Sequence, residues 1–319
     1  MSRLLILLAA VCFGTTGTAQ ALGAAGASPV TVGEARIVVG AIGLQLVARR
    51  AAGRGAPLAW PRTAQMWLAA LGVAGYQVSF FLAVRTTGVA LGTVVALGSA
   101  PVITGVLALA CGQGRPGGRW AAATALAAVG LAVLTLGGGP GRVHPGGVLL
   151  ALGAATCYAT YTLAVKRSLE LGGQAESIMA ALFTGGALLL APALLVLPVG
   201  WLATPRGAVA ALWLGTVPTA LAYLLFGRGL RGVSAAEAST LTLAEPLTAA
   251  ALGVLALGEA PAATSLAGAA LLLTGLVVLG VRRPRSRPWP GRGRGSGSRP
   301  EPWSRHDAGA GPDGARAAR

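Results

Sequence analysis

The sequence predicts an all-α integral membrane protein whose ten transmembrane helices form two inverted five-helix repeats. Three observations predict this architecture: the apolar composition, the length of the apolar segments and a match between the two halves of the chain. The 319 residues are 54% hydrophobic and 11% charged, whereas soluble domains carry roughly 25% charged residues. An apolar block of about 18 residues or more is long enough to cross a membrane.

Ten such blocks can be drawn, and each ends near residues that interrupt helices. The joints include the glycine- and proline-rich stretches "GRGAP", "GQGRPGG" and "GGGPGRVHPGG". Several tryptophans fall near the proposed ends, where an aromatic belt would place them. The predicted helices cover residues 4–24, 32–48, 65–84, 88–111, 119–137, 147–166, 176–199, 208–227, 234–257 and 263–281.

The two halves of the chain match each other in a single register. The segment "LLAAVCFGTT" (7–16) aligns with "ALGAATCYAT" (151–160), and the same offset of 145 residues pairs Pro101 with Pro246. A constant offset indicates internal duplication. Because each repeat has five helices, the second repeat must enter the membrane from the opposite side. The predicted domains are therefore a first repeat at 1–138 and a second at 139–281, an arrangement typical of secondary transporters.

Positive charge is concentrated in the last part of the chain and on one side of the predicted membrane. Ten of the 25 Lys and Arg residues follow Val281, in a segment rich in Gly, Pro, Ser and Arg. This composition predicts a disordered, Arg-rich cytoplasmic tail at 282–319 that contacts the lipid bilayer. We expect no nucleic-acid partner. Opposite this side, the joints hold only Arg85, Arg142 and Arg206, which predicts an inner-membrane protein with both termini in the cytoplasm.

Glu245 and Pro246 interrupt an apolar segment near its middle. A charged side chain at that depth costs about 2.5–3.5 kcal/mol, and such residues usually face an internal cavity. Pro246 has no N–H group, so the carbonyl of Thr242 should lose its usual partner, and Pro101 occupies the equivalent position in helix 4. These four residues are candidates for a polar notch or a coupling site. Three roles for Glu245 stay open: a structural hydrogen bond, proton or cation handling, and contact with a substrate.

A second set of candidates carries aromatic and polar groups along helix faces. Phe13, Thr16 and Gln20 share one face of helix 1, and Tyr158 and Tyr161 occupy the aligned face of helix 6. Either a substrate cavity or ordinary packing would explain these faces. The remaining cavity candidates are Tyr76, Gln77, Tyr223 and Thr240.

Glu34 and Arg36 lie at the beginning of helix 2. We expect them to pair locally or to reach the lipid headgroups, as charged side chains near helix ends commonly do.

Motifs for catalysis and metal binding are missing from the sequence. It contains no P-loop, no H-E-x-x-H motif and no nucleophile elbow, and its three cysteines lack metal-ligand spacing. We therefore predict no enzyme activity, no catalytic residue, no metal and no cofactor. The alternatives from other classes are a membrane enzyme, a structural membrane subunit and a channel.

Residues 4–281 resemble the drug/metabolite transporter superfamily, in its EamA-like branch. The segments that carry the resemblance are Ala222-Tyr223, the stretch 234–238, Glu245-Pro246 and Gly258-Glu259. The first half matches more loosely, and Gly114 stands where the repeat would place the counterpart of Glu259.

This resemblance implies ten helices, two EamA-type repeats and a small-molecule substrate that is a metabolite or drug. The expected function is export by alternating access, with proton coupling as one mechanism. Neither the substrate nor the oligomeric state follows from the sequence.

Overall fold

The structure, a computed structural model, describes residues 1–53, 56–136 and 144–280. In this part of the chain the regular elements are all helical. Ten helices are long and apolar enough to span a membrane, as the sequence predicts. They are α1 Ser2–Gly23, α2 Pro29–Ala52, α3 Ala64–Thr87, α4 Val89–Ala110, α5 Gly118–Leu136, α6 Pro145–Glu170, α7 Ala175–Leu194, α8 Pro205–Leu230, α9 Ala235–Leu257 and α10 Ala263–Gly280. The predicted tail at 282–319 and Arg142 lie outside the described residues.

Most helix ends agree with the prediction to within a few residues, but α7 ends before residue 199. Leu197 has an extended backbone (φ −98°, ψ 150°), because the residue before a proline, here Pro198, disfavours the helical region. A short 3₁₀ turn then covers Gly200–Ala203. Thr204 caps the next helix, which begins at Pro205, and its hydroxyl accepts a hydrogen bond from the Gly207 N–H at 3.0 Å.

Two of the spanning helices are interrupted at prolines. In α8, Thr216–Leu221 forms a π-helical segment that contains Pro218. Pro218 cannot donate a backbone hydrogen bond to the Leu214 carbonyl, and the Thr219 hydroxyl donates to that carbonyl instead, at 2.8 Å. In α9, Thr242–Ala244 tightens into a 3₁₀ turn just before Glu245 and Pro246. Pro101, by contrast, lies within a continuous α4.

The helix neighbours follow a reciprocal pattern. Helix α1 packs against α8 and α9, and α6 packs against α3 and α4. Helix α2 packs against α7, and α5 packs against α10. If each helix is replaced by its counterpart in the other predicted repeat, α1 by α6, α2 by α7 and so on, the same set of neighbouring pairs results. The division into two inverted repeats stays a prediction, and this pattern is consistent with it.

The contact between α5 and α10 depends on small residues. A β-carbon added to Gly130 would overlap the backbone of Leu272, and one added to Gly268 would overlap the backbone of Leu134. The two helix backbones therefore touch directly, as small residues allow in membrane proteins.

All three ion pairs found among the described residues lie at the same end of the helix bundle, where α1, α7 and α9 begin and α6 and α8 end. Arg3 on α1 pairs with Glu237 on α9, and Arg228 on α8 pairs with Glu176 on α7 at 2.7 Å. The third pair joins Lys166 and Glu170 within α6. In the orientation predicted from the charges, this is the cytoplasmic end of the molecule.

Candidate functional site

All four tyrosines of the chain converge in the interior of the helix bundle. Tyr76 comes from α3, Tyr158 and Tyr161 come from α6, and Tyr223 comes from α8. The ring centroids of Tyr76 and Tyr158 are 6.4 Å apart, those of Tyr158 and Tyr161 are 5.1 Å apart, and those of Tyr161 and Tyr223 are 6.3 Å apart. The hydroxyls of Tyr161 and Tyr223 are separated by 3.4 Å.

Phenylalanines on several helices extend this group of rings. Phe13 of α1 and Phe183 of α7 contact Tyr223 with centroid distances of 4.9 and 4.3 Å. Phe80 stacks on Tyr76 at 5.6 Å. We refer to these seven residues as the aromatic cluster. Its members come from five helices, and both predicted repeats contribute to it.

A polar pair from α2 and α3 lies in the interior near the aromatic cluster. The Arg36 guanidinium donates a hydrogen bond from Nη2 to Oε1 of Gln77 at 3.1 Å. This contact leaves the Arg36 Nε and the Gln77 Nε2 buried without an acceptor. A buried donor without an acceptor costs about 1–3 kcal/mol of folding free energy. The protein bears this cost for two donors on adjacent side chains. Gln77 reaches α2 because Gly33 has no β-carbon, which would overlap the Gln77 amide.

The break in α9 satisfies the Thr242 carbonyl rather than leaving it free. Pro246 removes the usual partner of this carbonyl, as expected, but in the 3₁₀ turn the Glu245 N–H donates to it instead, so the expectation that the freed carbonyl contributes to a polar notch is wrong. A tighter i→i+3 bond replaces the i→i+4 bond that proline cannot make. The Thr242 hydroxyl donates to the Ser239 carbonyl at 2.8 Å and lies 3.2 Å from the Tyr158 hydroxyl.

The break also places Glu245 at the edge of the aromatic cluster. Its carboxyl group interacts electrostatically with Arg36. The hydroxyl groups of Tyr76 and Tyr223 interact electrostatically with both Glu245 and Arg36. Glu245 is partly buried, and no donor among the described residues hydrogen-bonds its carboxyl group. A carboxylate with free acceptor oxygens therefore faces the same interior as the two free donors.

Several predicted residues lie apart from this arrangement. The Thr16 hydroxyl bonds the Phe13 carbonyl of its own helix at 2.6 Å. The Thr240 hydroxyl is fully buried and lies 2.8 Å from the Thr124 hydroxyl of α5. Gln20 is partly buried in the last turns of α1 and Pro101 is buried within α4; among the described contacts neither side chain touches the aromatic cluster.

Arg36 is the functional candidate that the sequence prediction misplaced. Glu34 is 1% exposed, and both its carboxylate oxygens are buried without a donor. Arg36 turns to Gln77 instead of pairing with Glu34 or reaching the headgroups, so that expectation is wrong for both residues. Residues two apart on a helix point in different directions, which separates them. Phe80 and Phe183 were also missed, because a phenylalanine in an apolar helix gives no signal of its own.

A separate groove of about 580 Å³ opens on the outer surface of the bundle, between α1, α8 and α9. Its walls include Leu22, Val209 and Leu252, and Trp213 crosses it to donate a hydrogen bond to the Thr15 hydroxyl at 3.3 Å. This groove is almost wholly apolar and faces the lipid. It does not include any member of the aromatic cluster.

Within the described ranges, no group of three or more His, Cys, Asp or Glu residues could hold a metal ion. The interior offers hydrogen-bond donors, the carboxylates of Glu34 and Glu245, tyrosine hydroxyls and aromatic rings. These groups are suited to binding a small polar molecule.

Ten spanning helices around a polar and aromatic interior define a multi-pass membrane protein. The chain belongs to the EamA-like transporter family, whose sequence model matches residues 1–136 and 145–281.

Curated relatives are named as transporters. The chain is 42% identical over 279 residues to the "uncharacterized transporter YwfM" of Bacillus subtilis (strain 168), a match that covers 86% of this chain and 92% of the relative. It is 30% identical over 179 residues to a "probable terminal-alkyne amino-acid exporter" of Streptantibioticus cattleyicolor, covering 54% of this chain and 60% of that protein. These names point to a transporter rather than an enzyme.

A solved crystal structure has the same fold. It superposes with a TM-score of 0.75 and covers 88% of this chain and 98% of its own, at 22% sequence identity. At that identity the likeness concerns the fold alone.

Proposed function

We propose that the protein is a secondary transporter that exports a small organic solute across the bacterial inner membrane by alternating access. The observation that carries this proposal is the position of Glu245, which the break in α9 holds beside the aromatic cluster. Tyr76, Tyr158 and Glu245 each lie near the middle of their helices. This is the depth at which transporters with inverted repeats bind their substrates.

The contacts between the two halves support alternating access. Both predicted repeats contribute side chains to the site. The first repeat supplies Phe13, Arg36, Tyr76 and Gln77, and the second supplies Tyr158, Tyr161, Phe183, Tyr223 and Glu245. A movement of one repeat against the other would therefore open the site to either side in turn. The ion pair between Arg3 and Glu237 joins the two predicted repeats at the predicted cytoplasmic end and favours closure there. One relative carries the name of an exporter, which supports the outward direction.

Proton coupling through Glu245 is part of the proposal. A structural role would require a hydrogen-bond donor for the carboxyl group, and the described residues provide none. A carboxyl group at the solute site can instead exchange a proton for the solute during each cycle. Proton entry would then drive solute exit.

The test is transport into proteoliposomes with an imposed pH gradient, using the solute that a thermal-shift screen of amino acids, amines, sugars and drugs selects. Glu245→Gln keeps the shape of the side chain but cannot ionise, so gradient-driven accumulation should be lost while exchange down a concentration gradient continues. Glu259→Gln is the control, because Glu259 is an exposed carboxylate beyond the other end of the same helix. Accumulation by Glu245→Gln equal to that of the parent would exclude the coupling role.

A further inference from the structure

We propose that the groove between α1, α8 and α9 binds an anionic phospholipid, with the lipid phosphate on Arg206 and one acyl chain along the apolar walls. None of the residues that line the groove belongs to the aromatic cluster, so this site is separate from the proposed solute site. Binding of the lipid can be measured without any transport.

The groove runs lengthwise along two neighbouring helices. On α1 its wall extends from Thr15 to Gly23, and on α8 it extends from Pro205 to Trp213. Each stretch advances by eight residues, which is about 12 Å at about 1.5 Å per residue. One leaflet of the hydrocarbon core is about 15 Å deep, half of the full thickness of about 30 Å. The groove therefore follows most of the depth of one leaflet, which is the direction in which an acyl chain lies.

The end of the groove that lies farthest from the start of α8 is closed. There the Trp213 indole donates a hydrogen bond to the Thr15 hydroxyl at 3.3 Å. Trp213 is 46% exposed, although tryptophans in membrane proteins concentrate at the two interfaces. A lipid chain can end at this ring, whereas a transmembrane helix of a partner would continue through both leaflets. The closed end therefore favours a lipid over a second protein helix.

The opposite end of the groove has the charge that a lipid phosphate needs. Arg206 is the second residue of α8 and is exposed. It is the one charged residue among the described residues that line the groove, and it takes no part in the ion pairs found in the described chain. A guanidinium group is a suitable donor to phosphate oxygens. The phosphate of a lipid whose chain lies in the groove would therefore meet an unpaired cation.

The single charge selects an anionic lipid over a zwitterionic one. Phosphatidylcholine carries a quaternary ammonium group next to its phosphate, and the described residues of the groove wall include no carboxylate to receive it. Glu259, which follows α9, is not part of that wall. Phosphatidylglycerol adds no positive charge, so its phosphate keeps its full attraction to Arg206. We therefore expect the groove to prefer phosphatidylglycerol.

The experiment measures how bromine atoms in the acyl chains quench the fluorescence of Trp213. The protein is reconstituted in dioleoylphosphatidylcholine bilayers with increasing fractions of a chain-brominated phosphatidylglycerol or phosphatidylcholine. The same measurement on Trp213→Phe gives the signal of the other tryptophans, which is subtracted. We expect the brominated phosphatidylglycerol to reach half-maximal quenching at a fraction about fivefold lower than the brominated phosphatidylcholine, which is the effect of one basic residue on the binding of an anionic lipid.

Two results would overturn the proposal at this stage. Equal quenching by the two lipids would show that the groove holds lipid without recognising its headgroup. A Trp213 that neither lipid quenches would show that protein covers the groove, either from a second copy of this chain or from another partner.

Two variants test the role of the charge. Arg206→Gln removes the cation from an exposed position, so it should keep the melting temperature of the parent and abolish the preference for phosphatidylglycerol. Arg85→Gln is the matched control, because Arg85 is exposed near the end of α3, on the same side of the predicted membrane, and lies outside the groove. This variant should keep the preference. A preference that persists in Arg206→Gln would contradict the phosphate site.

Glycerol phosphate distinguishes a lipid from a free phosphate, because it has the charge and lacks the acyl chains. Added to the aqueous phase, it should leave the quenching by brominated phosphatidylglycerol unchanged. Recovery of the Trp213 fluorescence would show that the groove recognises the phosphate alone, and it would overturn the lipid site.

Discussion

The hydroxyl of Tyr158 lies 3.2 Å from the hydroxyl of Thr242. Tyr158 belongs to the middle of α6, and Thr242 begins the 3₁₀ turn that interrupts α9. This contact ties the broken helix to a continuous one at the position where Glu245 enters the interior. It connects the geometry of the break with that of the aromatic cluster.

Removing this contact should slow transport more than it lowers stability. Tyr158→Phe and Thr242→Val each delete one hydroxyl, and a hydrogen bond of this kind contributes about 0.5–1.5 kcal/mol. We expect a decrease in transport rate of roughly two- to tenfold in each variant, with little further loss in the double variant. Thr156→Val is the control, because the Thr156 hydroxyl is exposed and bonds its own helix at 2.9 Å. Additive losses in the double variant would show that the two hydroxyls act separately.

The ion pair between Arg3 and Glu237 should resist opening of α1 from α9. Ala236 is 1% exposed beside this pair, so a cysteine in its place reports opening through its reaction with a maleimide. In a background without other cysteines, Arg3→Gln should raise the labelling rate of Ala236→Cys by up to about fivefold, because partly exposed ion pairs contribute about 0–1 kcal/mol. Glu170→Gln removes a pair within one helix and should leave the rate unchanged. Equal rates in all three backgrounds would argue against the ion pair as a lock.

The glycine contact between α5 and α10 predicts a stability effect. Gly130→Ala places a methyl group against the backbone of Leu272, which cannot move as a side chain does, and should destabilise the protein by about 1–3 kcal/mol. Gly98→Ala is the control in α4, where the nearest atom to an added β-carbon is 3.8 Å away. Thermal unfolding in detergent measures both. A Gly130→Ala protein as stable as Gly98→Ala would show that the helices separate without cost.

The orientation in the membrane can be tested with two engineered cysteines. Ala203 follows α7 and Ala52 ends α2, and both are exposed in the structure. Because Lys and Arg favour the cytoplasmic side, Ala203→Cys should react with an impermeant maleimide added to whole cells and Ala52→Cys should not. The reverse labelling pattern would place both termini outside the cytoplasm.

The helices and the break in α9 could be predicted because they depend on local features. A long apolar block must be a helix in a membrane, where each backbone group needs a partner, and Pro246 removes one donor regardless of the surrounding fold. An interruption of the helix next to a proline can therefore be predicted from the sequence alone. The compensation by the Glu245 N–H was not predicted, because it depends on how far the turn tightens.

The direction of Arg36 and the role of Phe183 depend on contacts between helices. Arg36 reaches Gln77 because the Gln77 side chain extends to α2 and fits against Gly33, which has no β-carbon. Nothing in the sequence near Arg36 records that contact. Phe183 meets Tyr223 through the packing of α7 on α8. Side-chain partners of this kind appear when helices are placed against each other.

The π-helical segment Thr216–Leu221 has a consequence for the angular position of Tyr223. A π turn holds about one more residue than an α turn, so the residues after it are rotated by about 100° relative to an uninterrupted helix. Tyr223 is the second residue after the segment and owes its inward direction to that extra residue. Regular α-helical geometry over the same number of residues would turn this tyrosine away from the rings of Phe13 and Phe183, whereas deleting one residue of Thr216–Leu221 would remove the π turn and keep the direction of the tyrosine.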